Sequence, residues 1–471
     1  MARVVLISPP FQKDYMRNAR CDFVSLSSSS WYPIWLGQAG TWLEGKGHKT
    51  ALMDAQLDGD TTESALARVR DFKPDLVAVY TGRLSEDNDI AFGDAVAKTG
   101  VPVAFVGPYT SIDPDAVLMK ATTAQYAVRK EFDLPLEELA SGQDPATLEN
   151  LHVRHADGTI TSTAPRPLIK TEILDQFPIV SQYFNEHLDI RKYKTPSELY
   201  PFMDVMSGRG CAWGRCNFCL WVQTFVDGSV YNLRSIDHFM QEFEYMRDHM
   251  PEVKSVMIQD DMLTNRRAIE ISEGLLERGI KMQWSCYMKP NSRIEQSTLD
   301  LMKKSGCLNL HIGFESGDDR VLENIDKGAT ADQAYEFSEM VHKAGLQIHG
   351  DFAMGHYGDN VESMTNTLKL AKRINPHTAQ FQIMIPFKGT RFYQQLEENG
   401  ALTENGEPTY ENVGGCSAEE VRSFAKHAYR KFYFSSAYLK KILTNPKDYF
   451  FNRMDEYVSA IPAVTWKRWV K

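Results

Sequence analysis

The sequence predicts an α/β chain with an N-terminal Rossmann-like parallel sheet, a partial (β/α)6 barrel and a C-terminal, mostly helical cap. Three patterns predict it. β-Branched runs alternate with amphipathic stretches from residue 2 to about 142, the alternation returns on a larger scale after residue 201, and the amphipathic stretch 418–443 precedes an aromatic-rich tail ending in Trp466, Trp469 and Val470. Alternating strands and helices with short links imply parallel strands with helices packed on their faces. The domains follow as 1–145 for the first sheet, 146–200 for a connector with a Thr- and Pro-rich segment, 201–395 for the barrel and 396–471 for the helical remainder.

In the first domain the strands are expected over 4–7, 50–53, 76–80 and 103–106, separated by helices over 34–46, 62–72 and 87–99. Such sheets bind ligands at the carboxyl ends of their strands. The loops there are Ser8-Pro9-Pro10, Asp54-Ala55, Thr81-Gly82-Arg83 and Gly107-Pro108-Tyr109-Thr110. None is a G-x-G-x-x-G cradle, which argues against a nicotinamide-dependent dehydrogenase. In the barrel the strands are expected over 255–259, 282–286, 308–314, 347–353 and 378–384, with helices near 235–249, 266–278, 296–305, 330–344 and 361–373. Counting the strand before Cys211, this makes about six βα units, short of a closed eightfold barrel. Reactions in such barrels gather at the carboxyl ends, where the loop after the first strand opens.

With 471 residues, 43% of them hydrophobic and 24% charged, the chain has room for two or three domains with cores of their own. A net charge of −10 and the lack of a basic stripe argue against nucleic acid as the main partner. No run reaches the length of a membrane span, and the opening Met-Ala-Arg-Val-Val-Leu-Ile is too short for a signal sequence, so a cytoplasmic protein is expected. Cys21, Cys286, Cys307 and Cys416 are scattered, which fits a reducing compartment rather than a disulfide scaffold.

The chemistry concentrates in Cys211-Ala-Trp-Gly-Arg-Cys216-Asn-Phe-Cys219, a C-x4-C-x2-C spacing. Three soft thiolates in nine residues call for a soft metal. Structural zinc takes four protein ligands, whereas an iron–sulfur cluster held by three leaves one iron open. A zinc site completed by Cys286 or a histidine is the alternative, and with it a non-enzymatic binding module stabilised by the metal.

Together with this loop, Ser8-Pro9-Pro10, Trp31-Tyr-Pro-Ile-Trp-Leu-Gly, Gln259-Asp260-Asp261, Gly313-Phe-Glu315-Ser-Gly317, Gly355-His356 and Pro386-Phe-Lys-Gly389-Thr390 stand in a specific order. In that order the chain resembles radical S-adenosylmethionine (SAM) enzymes, in the subgroup with an N-terminal cobalamin-binding-type domain. The resemblance implies that Cys211, Cys216 and Cys219 hold a [4Fe–4S] cluster whose open iron binds SAM, and that reductive cleavage yields a 5′-deoxyadenosyl radical. Phe218 would lie beside the adenine. Glu315, at the end of a barrel strand, reads as a hydrogen-bond partner of the cofactor or as a helix N-terminal carboxylate, and Lys289, past another strand, as a counter-charge to the cofactor carboxylate or a surface residue. A flavodoxin or ferredoxin would deliver the electron, and a downstream reductase is a further possible partner. Two departures stand out. The family spacing is C-x3-C-x2-C, so one extra residue must be absorbed around Gly214, whose freedom of φ suits a bulge. Where cobalamin-binding relatives place two adjacent glycines after the fourth strand, this chain has Gly107-Pro108, and the cobalt-coordinating Asp-x-His-x-x-Gly pattern is absent, which leaves cobalamin itself open.

Alternate side chains along a barrel strand point inward. With Glu315 inward, Gly313, His311 and Asn309 share its side, Asp351 groups with His349 and Ala353, and Gln380 with Gln382 and Met384. So many polar groups are costly in a sealed core and suit a cavity for a small polar substrate bearing hydroxyls or amines. Asp351, Asp260 and His311 are the candidate catalytic groups, Asp260 being equally readable as part of a helix cap. Two outcomes compete. The one favoured here is redox-neutral dehydration of a sugar-like natural-product substrate, resembling the enzymes that deoxygenate aminosugars in antibiotic biosynthesis; the other is cobalamin-dependent methyl transfer to carbon or phosphorus.

Overall fold

A computed structural model describes residues 1–17, 22–25, 29–226, 228–290, 293–403, 406 and 408–445. Strand β1 (Arg3–Ser8) is followed by a small hairpin, β2 (Tyr15–Arg17) and β3 (Asp22–Val24), and then by β4 (Lys49–Asp54), β5 (Leu76–Tyr80), β6 (Val103–Val106), β7 (Tyr126–Val128), β8 (Leu151–Arg154) and β9 (Ile160–Ser162). All but the hairpin form one sheet in the order β4-β1-β5-β6-β7-β8-β9. The first five are parallel, as the β-branched runs predict, and Val4, Val5, Leu6 and Ile7 are fully buried between helices on the two faces. The order reverses between β1 and β5, which makes the loops after them the switch point of the sheet. The hairpin covers this place: Arg17 donates to Asp89 at 2.6 Å and to the Pro9 carbonyl at 2.6 Å.

The sheet also runs where only a connector was expected. β8 and β9 add antiparallel to β7, so residues up to Ser162 belong to the first sheet. Strands of three and four residues carry too few alternations to show a period, and the polar turn between them reads as linker.

The second sheet comprises β10 (Phe202–Val205), β13 (Ser255–Ile258), β14 (Gln283–Met288), β15 (Cys307–Glu315), β16 (Gln347–Met354) and β17 (Thr378–Ile383), all parallel and in that order. Between β10 and β13 lies a second hairpin, β11 (Gly208–Cys211) with β12 (Val230–Leu233). This is the expected six-unit partial barrel. Its strands have two unlike faces. Phe314, Phe352 and Phe381 stack at 5.3 Å intervals toward the helices, while His311, His349, Asp351 and Gln380 occupy the register positions of the other face. The C-terminal helix Ala418–Tyr433 packs on β17, where the Tyr433 hydroxyl bonds both the amide and the carbonyl of Ala379. The tail with Trp466, Trp469 and Val470 lies outside the described residues, and among those described no helix is long and apolar enough to cross a membrane.

The segment Trp31-Tyr32 joins the two domains. Tyr32 stacks on Tyr193 at 4.0 Å and donates to the Phe202 carbonyl at 2.8 Å, and the Trp31 ring meets Phe202 and His311 edge-on. A second tie is ionic. Arg209 of β11 reaches Asp133 at 2.8 Å and Glu131 at 3.1 Å, all three side chains being almost wholly buried, and its guanidinium lies over Trp35.

One buried carboxylate makes stability depend on pH. Asp359, in the turn after β16, is pushed up to about 6 by burial, against which hydrogen bonds from Ser363 and the Gly355 amide only partly act. A pKa raised in the folded state contributes stability that is complete below the unfolded value of roughly 4 and is lost as pH rises through about 6. Asp359→Asn is therefore expected to gain up to about 3 kcal/mol relative to the parent between pH 4 and pH 7. Urea denaturation across that range reads the difference, and a pH-independent difference would reject the assignment.

Candidate active site

The cysteine loop begins at the end of β11, where Cys211 is the last strand residue. Gly214 takes φ +58°, as the extra residue was expected to require, and a Cβ there would stand 2.2 Å from the Gly228 carbonyl. The Gly214 amide points at the Cys211 sulfur at 3.4 Å. The side-chain amide of Gln223 ties the second half of the loop, donating to the carbonyls of Cys216, Asn217 and Cys219. Burial pushes all three thiols up, Cys216 to about 11 and Cys219 further, and each lies within electrostatic reach of another. Grouped, soft and partly buried, this donor set fits a cluster bound by three thiolates, with protons released on loading. Cys286, the proposed fourth zinc ligand, instead lies beside Cys307 in the barrel wall.

The loop docks on the turn after helix Asp319–Asn324. Lys327 projects from that turn to Glu315, its Nζ 2.9 Å from Oε1. Burial opposes its charge, but Glu315 and the thiols of Cys216 and Cys219 more than compensate and raise its pKa. Glu315 reaches this position by a device that simple alternation misses. The register shifts between Gly313 and Glu315, and Glu315 takes φ +62°, so its carboxylate folds back over Gly313, where a Cβ would stand 2.5 Å from Oε1. Lys289, also expected at the cofactor, donates to the Gly328 carbonyl at 3.0 Å and stands 4.2 Å over the Trp213 ring. Burial and the neighbouring Lys327 bring it down to about 8. Phe218 is partly buried and meets the His356 ring at 5.0 Å.

Of the three candidate catalytic groups the structure brings two together. The rings of His311 and His349 lie 4.8 Å apart, and Asp351 Oδ1 is 3.4 Å from His349 Nε2. Although burial raises Asp351, His349 outweighs it and holds the carboxyl below its usual range, while burial lowers His311. His311 meets the Tyr287 and Trp31 rings and stands 3.3 Å from Glu198. Asp260 is elsewhere. It accepts from the Ser207 amide (2.7 Å) and hydroxyl (2.5 Å), the Gly208 amide (3.2 Å) and the Tyr231 hydroxyl (2.5 Å), and thereby fixes the entry to the cysteine loop. The helix after it is capped by Thr264, so Asp260 is not the cap. Sequence reasoning passed over Lys327, Glu198 and Trp31 as side chains of the site. Glu198 sits in an irregular stretch with no period, and Trp31 showed only as part of a resemblance motif.

Beside the barrel lies a cavity of about 1170 Å³ at the carboxyl ends of β1 and β4, walled by Ser8, Tyr15, Arg17, Trp31, Asp54 and Arg191 among others. It exceeds the roughly 300–1,000 Å³ of drug-sized ligand pockets. The neighbouring end of the sheet is closed. Gly107 alone takes a positive φ, +106°, Pro108 starts a short helix, and the Thr81 and Thr110 hydroxyls bond at 2.7 Å.

Residues 205–371 match the model of the radical SAM superfamily, and residues 22–140 that of the B12 binding domain. The chain is 28% identical over 402 residues to the uncharacterized methyltransferase PH0819 of Pyrococcus horikoshii, covering 82% of this chain and 84% of that one. It is 23% identical over 328 residues to the bacteriochlorophyllide d C-12(1)-methyltransferase of Chlorobaculum tepidum, covering 69% and 66%. The fold matches that of the cobalamin-dependent SAM radical enzyme OxsB with a TM-score of 0.69 at 15% identity, over 98% of this chain and 72% of that one. Relatives of this chain include methyltransferases and anaerobic magnesium-protoporphyrin IX monomethyl ester cyclases, which does not favour the dehydration expected from the sequence.

Proposed function

We infer that this chain, a radical SAM enzyme with an N-terminal B12 binding domain, is a cobalamin-dependent methyltransferase acting on a small polar substrate in its barrel. One observation carries the reading: the Trp31 indole belongs to both sites. Trp31 lines the large cavity at the carboxyl ends of β1 and β4 and touches His311 on the polar face of the barrel. A cofactor in the first and a substrate in the second would be neighbours. The likeness to methyltransferases extends along both domains and supports the same outcome.

The cavity has room for a macrocycle and mixes Arg17 and Arg191 with Tyr15 and Trp31, which suits a large ligand with amide and apolar edges. Bound cluster and SAM supply a hydrogen-abstracting radical, and bound cobalamin supplies the methyl group. The chain's own contribution is placement. Asp351 offers a charged acceptor to a hydroxyl or amine, His349 orients it, with Nε2 3.4 Å from the carboxylate and Nδ1 2.6 Å from the Thr378 hydroxyl, and His311, held by Glu198, forms the wall behind them. Trp31 and Tyr287 close the apolar sides.

Anaerobic purification from cells supplied with hydroxocobalamin tests this. Corrinoid and iron are both expected to co-purify in stoichiometric amounts, and SAM with a deuterated methyl group is expected to label the corrinoid. Protein that carries the cluster and cleaves SAM but retains no corrinoid would reject methyl transfer and restore dehydration.

A further inference from the structure

The residue that lengthens the first gap of the cysteine motif has a structural use. It lets Trp213 fold onto the turn after Ile325, where the indole Nε1 donates to the Asp326 carbonyl at 2.8 Å. Gly328, at φ +63°, makes room, since a Cβ there would stand 2.1 Å from the indole. Arg215 pairs with Asp326 at 3.3 Å. Asn217, between the second and third cysteines, completes the docking: its amide donates to the Ile325 carbonyl at 3.0 Å and its side chain to the Asn324 carbonyl at 2.8 Å. The turn so clamped is the one that carries Lys327.

Lys327 is almost wholly buried, its Nζ 2.9 Å from Glu315 and 3.1 Å from where a Cβ on Gly313 would stand. A second buried ammonium, Lys289, stands over Trp213. Two cations, Lys327 and Lys289, and the carboxylates of Glu315 and Asp261 lie within electrostatic reach of the three thiols, and Lys327 is the cation shielded from solvent beside two of them. Water and salt screen such a charge poorly, so its field acts on whatever the thiols hold.

We propose that Lys327 is a positioning residue which, clamped by the lengthened cysteine loop, raises the reduction potential of the bound [4Fe–4S] cluster. The proposal rests on the radical SAM reading. Reduction adds one electron, drawn from an external one-electron donor, to a centre already carrying three thiolate charges, and a fixed buried cation favours the more negative state. Glu315 opposes this by neutralising part of the cation.

The test is a mediator titration with dithionite, following the reduced cluster by electron paramagnetic resonance without SAM. Lys327→Met is expected to lower the reduced-to-oxidised ratio at a fixed poise about tenfold, equal to ~59 mV for a one-electron couple. Lys327→Arg keeps the charge and should stay near the parent. Glu315→Gln should move the potential in the opposite direction. A Lys327→Met protein with full iron and the parental potential overturns the proposal. Where that variant fails to load iron, Glu315→Gln decides, and a potential that stays or falls overturns it equally. A parent chain that forms no four-iron cluster would instead overturn the functional reading itself.

Discussion

Cys219→Ala is expected to abolish cluster binding and SAM cleavage while leaving the fold in place. Cys219 is partly buried against the core, and burial pushes its thiol up. Its surroundings accept an alanine at a modest cost, about 1 kcal/mol by analogy with small truncations of buried groups. With two thiolates left, a cubic cluster loses an anchor and lies open to solvent. Iron and sulfide content should fall to background, the broad absorption of the cluster should vanish, and reductive formation of 5′-deoxyadenosine should drop below detection, with far-ultraviolet circular dichroism unchanged. Cys416→Ala is the control, because Cys416 sits buried with its sulfur directed at the Asp359 carbonyl and not in the loop. Full iron retention by Cys219→Ala would sink the three-thiolate assignment.

Arg209→Met is expected to be the most destabilising single change outside the hydrophobic core. The guanidinium is the shared partner of Glu131 and Asp133, both buried, and it also packs over Trp35 and Phe177. Removing it strands two carboxylates between the domains, which typically costs 3–5 kcal/mol. Methionine restores part of the volume but none of the five donors. Chemical denaturation should therefore show a loss of about 3 kcal/mol or more. Adding Glu131→Gln and Asp133→Asn in the same chain should return a good part of it, because the stranded charges go with them. A loss below about 1 kcal/mol would mean that the triad is not a main tie between the domains.

The sequence was most legible where periodicity is strong. The strands and helices of the parallel regions, such as Leu76–Tyr80, Thr62–Phe72 and Val361–Ile374, lie within a residue or two of where their apolar spacing puts them. The three cysteines stand out because their spacing has few other uses, and the structure gathers their thiols within electrostatic reach of one another. What stayed hidden was mostly local geometry. The bulge at Glu315 breaks the rule of alternate faces, and no pattern in the chain announces a register shift. Asp260 reads as a helix cap or a catalytic acid, yet its carboxylate accepts from four groups of Ser207, Gly208 and Tyr231. Lys327 lies in a loop where any lysine looks solvent-exposed. The reading of cobalamin turned on one loop, Gly107-Pro108 after β6, whereas the large cavity lies along the same carboxyl edge of the sheet, at β1 and β4.

The strands of the barrel keep their aromatic stack on one face and their histidines and carboxylate on the other. Selection can therefore act on the two sides separately. On the proposed reading, exchanges at His311, His349, Asp351 or Gln380 would change what the lumen recognises while leaving the stack of Phe314, Phe352 and Phe381 on the other face. A lineage built this way can acquire new substrates by drift along one side of a sheet, with the other side held constant as its foundation.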